Sequence, residues 1–494
     1  MRVRRSAWRR AAVGTVGALA STAIALPPTH GLALGLPTPS IVTVSVDAAH
    51  AGGPLNERLI GTNQPVAGAG GVMSALGVDW GRVDMSLDTA YDCATGKTDF
   101  TALDGRVAVD RAMGPSVEPE LIVDYSPSCM TTLGQGLAPP NAGNYGPWSQ
   151  LVYDAAYHEI TTQGVRIFEV WNEPDGTFWY GTLADYLAMY EATAEAVEKA
   201  ATAAGVHVMV GGPALLFPDP VWIEAVLAYV SGQGLPLDFL SWHYYGDYPA
   251  LGPFPEGPVD LPPSVPAAGD YWYNPGTRAQ TYGGQVSMVQ ALLSAFPQLH
   301  PLTVLDEWNL DAGYDPRADT AYDAAFAAAV LDSVQQAGLD RMAFFRVADD
   351  KPGTLGNWGM LFSDFSPKPV YSTFLFWREM AGSLLPVDLA PSQVLADPVG
   401  RIGAVATRSG DGTVRVLLYD YAPYDPTGAY GTGTSGPYDH SVALEISGLR
   451  NAHHYQAVVV SDAGQRSVSG STDGGGGLAL SMPGESVALV TLHP

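Results

Sequence analysis

Two glutamates of this 494-residue chain sit in matching surroundings: Glu173 in "RIFEVWNEPDGTFW" and Glu307 in "TVLDEWN". Each closes a run that reads as a buried strand. A residue before proline is held extended and cannot continue into a helix. Pro174 is therefore expected to fix Glu173 at a strand's carboxyl end, where α/β enzymes keep their chemistry. Two carboxyl groups facing each other across an opening can break a glycosidic bond: one donates a proton to the leaving oxygen and the other attacks the anomeric carbon. Their mutual repulsion separates the two pKa values and leaves one group protonated near neutrality. The competing reading is that each glutamate pairs with an arginine and ties loops together.

Such a pair needs a frame that brings distant segments to one mouth. Strand-like runs recur at "ERLIGTN", "VDWGRVDMS", "PELIVDYSP", "VRIFEVWNEP", "VHVMVGGPAL", "LDFLSWHYYG", "LTVLDEWNL" and "RMAFFRVADD". Between them lie segments apolar at three- and four-residue spacing and closed by glycine, among them "WSQLVYDAAYHEITTQG", "LADYLAMYEATAEAVEKAATAAG" and "TAYDAAFAAAVLDSVQQAG". The pattern predicts an α/β fold, a (β/α)8 TIM barrel over residues 51–380, with Glu173 and Glu307 facing each other from strands four and seven. From 381 to 494 the pattern changes to short alternating strands, "RIGAVATRS", "TVRVLLYDYAP", "SVALEISGL", "HYQAVVVSD" and "ESVALVTLHP", which predict a C-terminal β-sandwich. "SIVTVSVDA", within residues 38–50, reads as one more strand of that sandwich. The "GGGG" at 474–477 reads as a hairpin turn. The Pro-, Gly- and aromatic-rich segment 246–284 reads as an ordered rim element, and the tyrosine-rich stretch 421–440 as a loop that reaches the mouth.

Hydrophobic residues make up 47% and charged residues 15% of the chain, ample for a packed core and unlike a disordered protein. Residues 1–37 carry Arg2, Arg4, Arg5, Arg9 and Arg10 followed by an Ala- and Gly-rich apolar run, the pattern of a signal peptide, so export is expected. Without those five arginines, and with no acid among the first 37 residues, 19 basic residues face 50 acidic ones, a net charge of −31. That balance disfavours nucleic acid and anionic membrane as partners and suits a neutral or cationic ligand. No second apolar stretch approaches the roughly 18 residues needed to span a bilayer. The ten histidines are scattered without metal-ligand spacing, and no cofactor is expected. Cys93 and Cys129 fall on neighbouring loops of the predicted barrel, candidates for a disulfide, with two free thiols as the alternative. The oligomeric state is not legible.

The ordered set "FEVWNEPD", "VGGPAL", "DFLSWHYYG", "VLDEWN", "FRVADD" with "NWGMLF", and "PKPVYSTF", joined by "VLLYDYAP" in the sandwich, resembles clan A of the glycoside hydrolases. Within that clan it is similar to family thirty-nine, which includes β-xylosidases and α-L-iduronidases. The resemblance covers roughly residues 55–425. It implies Glu173 as general acid/base and Glu307 as nucleophile of a retaining double displacement, with Asn172 on the sugar hydroxyl beside the anomeric carbon. His243 and Tyr245, two apart and so on one face of a strand, would by the same resemblance hold the nucleophile and sugar, and Arg82 would reach the nucleophile. Asp84 stands where the family commonly has histidine, and "DYSPSC" replaces its Phe-Met-Pro run; both weaken any transfer of xylose specificity. Trp171, Trp179, Trp308, Phe345, Trp358, Tyr271 and Trp272 are candidates for stacking on a sugar face, and Asp349 and Lys351 for its hydroxyls. The expected activity is a secreted retaining hydrolase of oligo- or polysaccharide, exo-acting on terminal β-xylosyl or related pentosyl residues. Iduronidase-like or endo-acting chemistry, or a non-catalytic carbohydrate-binding protein, are the alternatives.

Overall fold

The computed structural model describes residues 40–131, 133–140, 145–246, 279–311, 315–389, 401–422, 439–449, 453–473 and 475–494. The leader, most of the 246–284 segment with Tyr271 and Trp272, and most of the 421–440 stretch lie outside the described residues. Eight parallel strands, Gly61–Asn63, Trp80–Asp84, Glu118–Val123, Ile167–Val170, Met209–Leu215, Phe239–Tyr245, Leu302–Asn309 and Arg341–Phe345, close into a barrel in sequence order. Each falls within one of the eight predicted runs except the third, which begins one residue earlier, at Glu118. Gly211 is required by the closeness of its neighbours: a Cβ there would lie 2.4 Å from the Phe239 ring.

Amphipathic helices cover the barrel. Leu183–Ala204 opens with a capping box between Thr182 and Asp185, ends at left-handed Gly205, and buries a stripe that includes Tyr186, Met189, Tyr190, Thr193 and Val197. Ala321–Ala337 serves two partners at once. Its small residues let it sink into the barrel's helix layer, while its other side meets the second domain. There Tyr419 donates to Asp332 at 2.7 Å, Tyr421 packs on Tyr322 and Phe326, and Asp462 accepts from the Ala321 amide at 2.8 Å.

The second domain is a sandwich of two sheets. One has six strands in the order Ser383–Leu385, Arg401–Arg408, Val414–Tyr421, Ser486–Leu492, His454–Ser461 and Gly464–Ser471. The other has four, Val387–Leu389, Ser40–Asp47, His440–Ser447 and Gly477–Met482. Ser40–Asp47 lies parallel to His440–Ser447 over its whole length. Alternating Val42, Val44 and Val46 point into the core between the sheets. The glycine run at 474–477 is not a hairpin turn. The strand before it edges the six-stranded sheet and the strand after it edges the four-stranded one, so the chain crosses between sheets there. Asp473 holds the crossing by accepting from the Gly475 and Gly477 amides.

Cys93 and Cys129 are joined as a disulfide, tying the loop after strand two to the loop after strand three at the mouth. Closing a loop of 36 residues contributes about 3–4 kcal/mol in the chain-entropy account. Cys93→Ser with Cys129→Ser is expected to lower Tm by several degrees while leaving turnover at 25 °C largely unchanged, read by calorimetry beside an activity assay.

Candidate active site

Glu173 and Glu307 meet at the carboxyl end of the barrel, one oxygen of each lying within 4.8 Å of the other. Glu173 does not sit there in the extended conformation that Pro174 predicts. Strand four ends at Val170, and both Trp171 (φ +72°) and Glu173 (φ +45°) adopt left-handed backbone. Such conformations persist where surrounding contacts over-determine them, and strand five supplies these contacts. The Glu173 amide donates to the Ala214 carbonyl at 2.8 Å, and Asp175 accepts from the Leu216 amide at 2.8 Å. The "VGGPAL" run is the ledge on which this loop rests. Gly212 is itself at φ +135°, with the Val170 carbonyl 3.2 Å from where a Cβ would project.

Strand six alternates as a two-residue period requires. Ser241, His243 and Tyr245 face the barrel interior, and Trp242 and Tyr244 face the helices. His243 Nδ1 lies 2.9 Å from Glu173 Oε1 and 3.6 Å from Glu307 Oε2, and Tyr245 donates a short hydrogen bond to Glu307 Oε1. Strand seven breaks the alternation. Leu305 pairs with Trp242 and Glu307 with His243, leaving Asp306 as the extra residue of a β-bulge. Asp306 and Glu307 therefore both reach the interior, Asp306 one layer deeper.

Arg82, on strand two and 1% exposed, is the cation of the site. Its Nε donates to Glu169 at 2.6 Å, Nη1 to Glu307 at 3.2 Å and Nη2 to the Asn172 side-chain oxygen at 2.9 Å. The last bond turns the Asn172 amide nitrogen away from Arg82, free to serve as a donor in the mouth.

Burial pushes the Glu173 carboxyl up to about 7, against the pull of Arg82. Burial, with Glu173 nearby, also raises Glu307, while His243, Arg82 and the Tyr245 hydroxyl oppose the rise. The single proton of this pair belongs on Glu173, because Glu307 receives direct donors to its ionised form from Arg82 and Tyr245, whereas Glu173 faces an imidazole. Burial also brings His243 down to about 4, so the ring is neutral at neutral pH. The arrangement thus pairs a protonated carboxyl with an ionised one over one opening.

The remaining predicted residues divide. Phe345 is half-buried at the mouth, between Tyr245 and Trp358. Asp84, half-buried at the end of strand two, shares a hydrogen bond with the buried Asp124 and lines a cavity of about 410 Å³ with Gln64, Arg106 and Arg346. Trp308 is corrected: the residue after the bulge turns outward, and its fully buried ring packs among Tyr282, Phe326, Phe344 and Phe374, leaving no face for a sugar. Trp171 and Trp179 are likewise buried, stacked edge-on in the helix layer. Asp349 is 7% exposed and is held by the Lys368 ammonium at 2.9 Å and the Gly359 amide at 2.8 Å, so it braces the loop after strand eight; Lys351 is exposed.

Sequence reasoning missed a layer beneath the glutamates: Glu120, Glu169 and Asp306, each no more than 1% exposed, bring oxygens within 4.8 Å of one another. The available signal was an acid inside each apolar strand run, "PELIV", "IFEVW" and "VLDEW". A third cluster, Asp104, His158 and Glu159, lies between the helices Thr101–Arg111 and Gly146–His158. His158 and Gln163 already occupy Asp104 at 2.9 and 2.8 Å. A cation between Glu173 and Glu307 would compete with the Arg82 and Tyr245 donors on Glu307.

Residues 99–256 match the family model described as glycosyl hydrolases family 39. A protein of Caldicellulosiruptor saccharolyticus named β-xylosidase is 26% identical over 369 residues, spanning 70% of this chain and 69% of that protein. A β-xylosidase of Geobacillus stearothermophilus is 26% identical over 345 residues, 65% of this chain and 61% of the relative, so less than two thirds of its length is matched. The solved structure of a monomeric β-xylosidase from Caulobacter crescentus CB15 superposes with a TM-score of 0.71 at 19% identity, covering 92% of this chain and 99% of that one. The chain is similar to glycoside hydrolase family 39 and is a glycosidase.

Proposed function

We propose that the chain is a secreted, retaining, exo-acting glycosidase that releases terminal β-xylosyl or related pentosyl residues from plant-type glycans, with Glu173 as acid/base and Glu307 as nucleophile. The observation that carries the mechanism is the approach of the two glutamates to within 4.8 Å, the short separation that lets the second carboxylate reach the anomeric carbon itself. A gap wide enough to lodge a water between them would suit inversion instead. Glu173, protonated up to about pH 7, supplies the proton to the leaving oxygen and, once ionised, takes one from the incoming water. Glu307, ionised by its Arg82 and Tyr245 donors, forms and then releases the glycosyl ester. Asn172, with its amide nitrogen presented by Arg82, is placed to bind the neighbouring hydroxyl.

The substrate reading is supported by the two relatives named β-xylosidase, and the secreted reading by the pattern of residues 1–37. A panel of aryl β-xylosides, α-L-arabinosides, β-glucosides and α-L-iduronides, with proton NMR of the first sugar released, tests the whole. Fastest cleavage of the β-xyloside with the β anomer appearing first is expected. The α anomer first would overturn retention, and background release from every glycoside would favour a binding protein.

A further inference from the structure

Five carboxyl groups, Glu120, Glu169, Glu173, Asp306 and Glu307, surround the guanidinium of Arg82 inside the barrel, with Arg341 acting besides on Glu120, and they cannot all be ionised. Glu169 has claims to its charge: Arg82 Nε at 2.6 Å on one oxygen and the Ser241 hydroxyl at 2.5 Å on the other. Asp306 has none of that quality. As a carboxylate it would present two fully buried oxygens to distant donors only, Arg82 Nε at 3.5 Å from Oδ2 and already bonded to Glu169, and His243 Nε2 at 3.4 Å from Oδ1, a costly state. As the neutral acid it can donate to Glu169, an oxygen of which lies within 4.8 Å of one of its own. Its carbonyl oxygen is then left to accept. Facing it is His243 Nε2, 3.4 Å from Asp306 Oδ1 and otherwise unpartnered among the described residues.

We infer that Asp306 is a positioning residue: held as the neutral acid against Glu169, it accepts the Nε2 hydrogen of His243, fixes the imidazole tautomer, and leaves Nδ1 as the acceptor for the proton on Glu173. The result is one directed chain, Glu173 O–H to His243 Nδ1, His243 Nε2–H to Asp306, Asp306 O–H to Glu169, ending on Arg82. The bulge is what makes it, since regular alternation would turn either Asp306 or Glu307 away from the interior. With Nδ1 bare, ionising Glu173 sets a carboxylate against a ring lone pair at 2.9 Å, so Glu173 holds its proton tightly and regains it readily during turnover. If the ring were free to take the other tautomer, Nδ1–H would donate to Glu173 and stabilise its ionised form. The other charged or titratable groups packed around this chain include Arg82, Glu120, Asp175, Glu307 and the hydroxyls of Tyr125, Tyr186 and Tyr245, and the tautomer acts on top of their combined field.

The inference rests on the acid/base role of Glu173, and the test separates the two. In the pH profile of kcat/KM on an aryl β-xyloside, Asp306→Ala is expected to move the alkaline limb down by roughly one unit. Asp306→Asn, whose amide donates to Glu169 and whose oxygen accepts from His243, is expected to keep it in place. An unmoved limb in D306A, or a limb in D306N displaced as in D306A, overturns the inference. Survival of the alkaline limb in Glu173→Gln would instead sink the acid/base assignment. Nitrogen-15 NMR of the wild-type imidazoles needs no variant: His243 should show a protonated Nε2 and a bare Nδ1 at neutral pH, and a protonated Nδ1 would be fatal.

Discussion

Glu307→Ala is expected to cut kcat by on the order of 10⁴-fold or more on every glycoside the enzyme accepts, good leaving groups included, because the covalent route is removed entirely. Added azide should restore turnover in a characteristic way. A small anion fits where the carboxylate was removed and attacks the anomeric carbon from that face, so the product is the glycosyl azide of inverted configuration. The test is NMR of the azide adduct. A retained azide, or an alanine variant with near wild-type rates, would show that Glu307 is not the nucleophile. The loss should not reflect unfolding, because the carboxyl is at the mouth and 13% exposed.

Glu173→Ala should behave differently, and the difference is diagnostic. The loss should reach about 10²–10⁴-fold for poor leaving groups and shrink for activated aryl groups that depart without a proton. The alkaline limb of kcat/KM should disappear with it. On the proposed mechanism, the wild-type rate requires Glu173 protonated and Glu307 ionised. Activity is therefore present below about pH 7 and lost as pH rises through the Glu173 value, and lost again at low pH as Glu307 takes up a proton. The acid limb should fall above the ordinary carboxylate range, since burial raises Glu307 as well. Azide should now yield the product of retained configuration, by attacking the glycosyl ester on Glu307. An alkaline limb still present in E173A, or equal losses across all leaving groups, would remove Glu173 from the acid/base role.

The barrel was legible because its strands and helices announce themselves locally. Apolar runs at intervals, glycines closing amphipathic segments, and a change to two-residue alternation after residue 381 are properties of neighbouring residues. Matching acids at the ends of runs four and seven then sufficed to place Glu173 and Glu307 across one mouth, since a closed barrel of known order fixes which strand ends face each other. That His243 and Tyr245 share a face followed from strand period, and their place beside the glutamates from the family resemblance.

Three features had no local signature. The strand-seven bulge, which brings Asp306 and Glu307 to the same side and turns Trp308 into the helix layer, depends on how strand seven pairs with both neighbours. The left-handed backbone at Glu173 overrides the extended preference imposed by Pro174, because the Ala214 carbonyl from another strand holds its amide. The burial that lifts Glu173 to about 7, and the sharing of Arg82 among Glu169, Glu307 and Asn172, are sums over side chains far apart in sequence. The sequence by itself determined which elements form and which residues carry the reactive groups. The tertiary structure alone decided how those groups are charged and aimed, because desolvation and long-range pairing exist only once the barrel has closed.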